Sequence, residues 1–200
     1  SVCVNQLCSV SVLAPDGRTF EYLIAPQLPG KLRVVLDGSV IDIRNGSCAA
    51  AVYLGRQVLV ADLASDPFWQ SRRDAALEGG IRATASTPIK AGSGKVLGAL
   101  GIYRREVGLP ARNELQLLED AAQLAGIAIE RRAADAALRS SEAKFRQLFE
   151  NAMEGVYQST RDGRLLSVNP AFVRMLGYAS AEELYALPSA SMCYWFPADR

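Results

Sequence analysis

One thiol, a few small polar side chains and two aromatic ones are the residues of this sequence best placed to do chemistry. Cys48 falls at the expected start of a helix over residues 47–54. A helix N-terminus lowers a thiol pKa, so a redox-sensing thiol is one reading. The competing and favoured reading is a small buried residue that packs this helix on a sheet. Gly98 and Gly101 interrupt an otherwise apolar strand, and such glycines permit close approach of a ligand or of a packed helix. Ala83, Thr84, Ala85 and Ser86, expected opposite them, are also small. With Tyr53, Trp69 and Arg82 as walls, this face would form a modest apolar cavity with few polar groups, as a small-molecule sensor requires. Core filling by Trp69 and Tyr53 is the favoured alternative. The candidate pocket residues are therefore Cys48, Tyr53, Trp69, Arg82, Thr84, Ser86 and Gly98.

Other chemistries find little support. The 200-residue chain contains no histidine, which removes the commonest metal ligand, general base and haem axial ligand. Asp62, Asp66 and Asp74 show no metal-binding spacing, and two of them read as cap or turn residues, so no metal is expected. Gly92-x-Gly94-Lys95 lacks the phosphate-loop spacing and lies between two strands, so it reads as a turn. No catalytic residue is singled out, and no cofactor can be named. Cys3, Cys8, Cys48 and Cys193 include no CxxC pair, which fits free thiols in a reducing, cytoplasmic compartment. The 22 basic and 21 acidic residues leave a formal charge of +1, so neither nucleic acid nor an anionic membrane is the expected partner. The pairs Arg72-Arg73, Arg104-Arg105 and Arg131-Arg132 are interspersed with acidic residues and read as solvated surface. No apolar run reaches the ~18 residues of a membrane span. The start at Ser1-Val2-Cys3-Val4-Asn5 lacks the basic region of a signal peptide. Without an initial methionine, it is read as lying inside a longer protein.

The elements that must position these residues are given by periodicity and turn chemistry. Residues 7–13 alternate as a strand, with Cys8, Val10 and Val12 on one face and Ser9 and Ser11 on the other. Pro15-Asp16-Gly17-Arg18 is a turn, and residues 19–25 return as a second strand. Residues 26–37 read as a loop with a short helix. Ser47 is the expected N-cap of the Ala-rich helix and Gly55 its stop. Residues 57–61 form a short buried strand. Asp66-Pro67 opens a helix expected to run to about Leu77, ahead of Gly79-Gly80. Residues 82–90 and 95–105 are two strands joined by a tight turn. The fold class is α+β: an antiparallel sheet flanked by helices.

From residue 111 to about 150 the pattern is helical, and forty helical residues span about 60 Å. Leu115, Leu118, Ala122, Ala125 and Ile129 recur at spacings of 3, 4, 3 and 4, a heptad seam. These residues are expected to form a parallel homodimer. Arg132 and Arg139 occupy later core slots and weaken the seam, and Ser140-Ser141 marks a soft break. Beyond Asn151, residues 155–160 and 165–169 read as strands around an Arg161-Asp162-Gly163-Arg164 turn. Asn169-Pro170 and Ser180 then cap two helices. Residues 188–200 show no clear periodicity.

Several stretches resemble known families. Asn45-Gly46-Ser47-Cys48-Ala49-Ala50-Ala51 resembles the Gly-Ser-Cys-Gly-x-Ala segment of many bacterial GAF domains, with Ala49 where glycine is usual. The run from Val58 to Pro67 with Trp69, and the run Ser86-Thr87-Pro88-Ile89 followed by Val96-Leu97-Gly98 and Tyr103-Arg104-Arg105-Glu106, resemble later parts of the same family in the same order. The family's long N-terminal helix has no counterpart here. From Ser141-Glu142-Ala143-Lys144-Phe145-Arg146, through Asp162-Gly163-Arg164 and Val168-Asn169-Pro170-Ala171-Phe172, to Leu176-Gly177-Tyr178 and Pro197-Ala198-Asp199-Arg200, the sequence is similar to a PAS domain. It lacks that family's last three strands, so this part is expected to be incompletely folded or completed by another chain. The resemblance implies a GAF sensor domain over residues 1–110, a signalling helix over 111–150 and the first part of a PAS domain over 151–200. It also implies a sensory input region, not an enzyme, that binds a small ligand or partner and relays to a histidine kinase or a cyclic-di-GMP synthase or phosphodiesterase. A ligand-free dimerisation or interaction module and a redox sensor acting through Cys48 are the alternatives.

Overall fold

Alternation along each strand decides which residues meet which layer, and the structure, a computed structural model, shows the outcome for residues 7–190. The expectations for Cys3, Cys193, the first five residues and Pro197-Ala198-Asp199-Arg200 lie outside the described residues. The chain divides into two units, 1–133 and 134–200.

In the first unit, strands β1 (Leu7–Leu13), β2 (Phe20–Ile24), β3 (Val58–Val60), β4 (Ala83–Lys90) and β5 (Val96–Arg104) form one sheet in the order β2-β1-β5-β4-β3. Every neighbouring pair is antiparallel. The β1–β2 turn is held by Asp16 Oδ1, which accepts from the Arg18 N–H at 2.9 Å. Helices α1 (Gly30–Leu36), α2 (Ser47–Leu54) and α3 (Arg73–Glu78) complete the unit with the first part of α4 (Arg112–Asn151). Thr84 and Ser86 of β4 bond to Trp69 and Ser47, whereas Ala85 clusters with Leu118 of α4. Successive strand residues point to opposite faces, so α2 and α4 cover opposite faces of the sheet.

Two helix starts differ from expectation. The N-cap of α2 is Gly46 (φ 100°), not Ser47. Its N–H donates to the Phe68 carbonyl at 2.7 Å, and an added Cβ would sit 3.4 Å from the Trp69 ring. The positive φ selects glycine here, and with Gly46 as the cap the Ser47 hydroxyl bonds to Ser86 instead. Asp66 caps as expected, accepting from the Phe68 N–H at 2.8 Å. The segment it opens, however, is a 3₁₀ turn over Pro67–Trp69, and α3 begins only at Arg73. The Ser71 N–H donates out to the Arg44 carbonyl and so interrupts the helical ladder.

Helix α4 is continuous through Ser140-Ser141, where a break was expected. Both serines are exposed and flanked by Ala, Leu, Arg, Glu and Lys, which are good helix formers. The expected dimer seam requires a larger correction. Leu118 and Ala122 are buried inside their own chain, Leu115 is partly buried beside them, and Leu118 packs on Ala85 and Ile102. A helical apolar period marks a covered face without saying what covers it, and here a sheet covers it. Ala125 and Ile129, at the flank, are half-buried.

In the second unit, strands β6 (Tyr157–Ser159) and β7 (Leu165–Val168) pair antiparallel, followed by α5 (Pro170–Leu176) and α6 (Ala181–Tyr185). Its core gathers Leu165, Val168, Phe172, Leu184 and Ala190. Asn169, fully buried, accepts from the Val156 and Phe172 N–H groups at 2.9 and 2.8 Å and donates to the Glu154 carbonyl at 2.9 Å.

Candidate functional site

The layer between α2 and the sheet is built from small polar side chains. On β1 the serine face turns inward: Ser9 and Ser11 are buried while Cys8 is exposed. They lie opposite Gly101 and Ala99 of β5, and this run of small residues lets α2 approach closely. Ala49, Ala50 and Ala51 present equally small groups from the helix and are all buried. Gly101 has no room for a side chain, since a Cβ would stand 2.8 Å from the Cys48 sulfur and 3.1 Å from Ser9 Oγ.

A hydrogen-bonded chain runs through this layer. Ser86 Oγ donates to Ser47 Oγ at 2.9 Å and lies 3.3 Å from Cys48 Sγ. The same sulfur is 3.6 Å from the Tyr103 hydroxyl and 3.8 Å from Ser9 Oγ, and the last two oxygens are 3.0 Å apart. Beside it, Trp69 Nε1 donates to Thr84 Oγ1 at 3.3 Å, and the Trp69 and Tyr103 rings meet edge to face at 6.4 Å. Burial holds the Tyr103 phenol well above its ordinary pKa, and the neighbouring Cys48 adds to the rise. Cys48 is 7% exposed and enclosed by the Ser9, Ser86 and Tyr103 hydroxyls, which gives it the place of a small packing residue between α2 and the sheet. The cavity lined by Ser11, Gly46, Cys48, Trp69 and Tyr103 has a volume of about 10 Å³, the space of one water molecule.

Of the expected pocket residues, Cys48, Trp69, Thr84 and Ser86 come together here. Tyr53 does not: it is 64% exposed, on the outer side of α2. Arg82 is half-exposed and pairs with Asp62 at 3.4 Å instead of walling a cavity. Gly98 belongs to the alternate face of β5 from Gly101, and its Cβ would run into the Ser11 carbonyl oxygen, so close strand approach accounts for it. Ser9, Ser11, Ser47 and Tyr103 join the site without having been among the candidates. Their signal was the alternation of Ser9 with Ser11 and of Ala99, Gly101 and Tyr103.

A second feature lies on α4. Opposite its buried face, Leu117, Leu124 and Ile127 are exposed in the first unit, and Leu138, Phe145 and Leu148 in the second. Leu117, Leu124, Arg131, Leu138 and Phe145 recur every seven residues. Among the described residues, no helix is long and apolar enough to cross a membrane, and no group of three or more Cys, Asp or Glu side chains could hold a metal ion.

Comparison with known proteins agrees with this architecture. Residues 5–130 match the GAF domain and residues 143–199 the PAS domain. The chain is 34% identical over 179 residues to the methyl sulfide methyltransferase-associated sensor of Methanosarcina acetivorans, covering 89% of this chain but 18% of that protein. Among solved structures it is similar to a domain of a putative two-component sensor histidine kinase from Sinorhizobium meliloti 1021, at 20% identity and a TM-score of 0.54, covering 66% of this chain and 84% of that one. It is also similar to the GAF domain of a phosphoenolpyruvate-protein phosphotransferase from Coxiella burnetii, at 20% identity and a TM-score of 0.53, covering 66% and 76%. With its antiparallel sheet between helices, the chain belongs to the GAF domain family, and PAS domain sequence comes after the GAF part.

Proposed function

We propose that this chain is the cytoplasmic sensory input region of a longer signal-transduction protein, and that it passes its state through α4 of a homodimer to an output domain. Histidine kinase and cyclic-di-GMP turnover are the output types that suit a GAF–PAS input. The observation that carries the reading is the two-sided character of α4. One side is held by the sheet through Leu118, Ala122 and Gly126, while the other offers an exposed apolar heptad stripe. A change at the sheet need bias the helix by only ~1–3 kcal/mol to alter the state of an output domain joined to it. The dimer contact is assigned to Leu117, Leu124 and Ile127, which face away from the sheet. Light scattering of the wild type and of Leu124→Glu tests it. A wild-type dimer that the substitution converts to monomer supports the reading, and a wild-type monomer refutes it. The region itself is read as non-catalytic, and turnover of nucleoside triphosphates or cyclic-di-GMP by the purified chain would overturn that.

A second reading is favoured by the small cavity at Trp69. A space of about 10 Å³ suits a ligand-free dimerisation module on that face. Native mass spectrometry of freshly purified protein separates the two readings: a retained small molecule favours the sensor, its absence the module.

A further inference from the structure

A groove of about 580 Å³ opens in the first unit between α4 and the end of β4. Its size suits a small molecule. Pro88, Ala91 and Ala122, all buried, supply an apolar floor. The helix and strand are pinned together at one end. Gly126 lies so close to β4 that a Cβ would strike the Lys90 carbonyl oxygen, and Glu130 Oε2 accepts from the Gly92 N–H at 3.0 Å.

The walls carry opposite charges. Arg56 and Lys90 stand on the sheet side, and Glu119 and Glu130 on α4. The ion pairs among the described residues of this unit are Lys31–Glu78, Arg44–Asp42 and Arg82–Asp62. Arg56 and Lys90 therefore line the same groove as Glu119 and Glu130 without forming an ion pair with them. Gln57 spends its amide N–H on Thr87 Oγ1 at 2.9 Å, which leaves its carbonyl oxygen as an acceptor at the same edge.

We infer that this groove is a binding site for a small zwitterion of the amino-acid or dipeptide class. The ligand carboxylate would meet Arg56 and Lys90, its ammonium Glu119 and Glu130, and its apolar part the Pro88–Ala122 floor. Charge-assisted hydrogen bonds at both ends would fix its direction. The site needs only the geometry of the first unit, while its signalling consequence rests on the reading of α4 as the output element.

Calorimetric titration of the purified chain with glycyl-leucine tests it. N-acetyl-glycyl-leucine, which lacks the ammonium, and glycyl-leucinamide, which lacks the carboxylate, serve as comparisons. Saturable binding of the zwitterion is expected, weakened about tenfold or more by capping either end, by Arg56→Gln or by Glu119→Gln. Both substituted residues are exposed, so thermal denaturation should show the fold intact. No saturable binding, equal binding of the capped forms, or binding indifferent to both substitutions overturns the site. The oligomeric state of the ligand-free protein decides the α4 reading separately, so the two failures are distinguishable.

Discussion

Replacing Leu118 with alanine distinguishes a helix face that packs on its own sheet from one that packs on a second chain. Leu118 is 4% exposed and sits among Ala85, Ile102, Leu59 and Leu100. Truncating a buried leucine costs about 2–5 kcal/mol, the lower part applying where neighbours can relax into the space. The neighbours Leu59, Leu100 and Leu115 are only partly buried and can relax toward the space, so about 3 kcal/mol is expected. With a urea m-value near 2 kcal/mol/M for a domain of this size, the midpoint falls by about 1.5 M. The same substitution at Leu124, 67% exposed, should move the midpoint of the monomer by less than about 0.3 M, and any larger loss there should depend on protein concentration, as a dimer contact requires. The assay is urea unfolding followed by circular dichroism at two protein concentrations tenfold apart. If Leu118 served the sheet, its loss would be the same at both concentrations. A loss that vanished on dilution, or a Leu118→Ala midpoint within error of wild type, would refute the assignment.

Tyr103→Phe removes a hydroxyl 3.0 Å from Ser9 Oγ and should cost about 1–2 kcal/mol at neutral pH by urea unfolding. The phenol's folded pKa lies above its unfolded value of about 10.0. Its contribution is therefore complete below pH 10 and lost as pH climbs toward the folded pKa, at up to ~1.4 kcal/mol per pH unit; Tyr103→Phe should flatten that alkaline decline. Gly101→Val places a side chain against the Cys48 sulfur; it should destabilise by about 1–3 kcal/mol and speed thiol labelling of Cys48, which in the wild type should trail that of exposed Cys8. Single-cysteine variants read the two rates, and equal rates in the wild type would favour the redox alternative. Asn169→Ala leaves the Val156 and Phe172 N–H groups without their acceptor and should cost the second unit about 2–3 kcal/mol. Faster tryptic cleavage at Arg164, with the first unit's unfolding unchanged, is the expected readout.

Much of the fold was legible in the sequence because turns and caps are local. Pro15-Asp16-Gly17, Asp66-Pro67, Ala91-Gly92-Ser93-Gly94 and Asn169-Pro170 each carry their conformation in their own residue types. The features that could not be read were decided by distant partners. Ser9 and Ser11 look like a solvent face until α2, some 40 residues later, brings its own small side chains against them. The stripe from Leu115 to Ile129 looks like a dimer seam until β4 and β5 take its centre. Tyr53 has the same character as a core aromatic, and only the helix's rotation turns it outward. In each case hydrophobic character was an accurate guide to burial for the element and a poor one for the side on which burial occurs.

The hydroxyl-lined contact of α2 with the sheet also sets how this interior opens. Separating two hydrocarbon faces exposes apolar area at about 25 cal/mol per Å². Parting α2 from the sheet uncovers Ala49, Ala50 and Ala51 but also Ser9, Ser11, Ser47, Ser86 and the Tyr103 hydroxyl, groups that water can solvate as well as they solvate one another. Ala50 and Ala51 still part from the apolar cluster of Val58, Val60, Trp69 and Tyr103, but water can accompany the hydroxyls as the helix lifts, so the dewetting penalty is lower than for a wholly hydrocarbon contact of the same area. Amide hydrogens of α2 should exchange through such local openings at a lower free energy than those of β4 and β5, which place the domain's wettable cleavage plane beside Trp69.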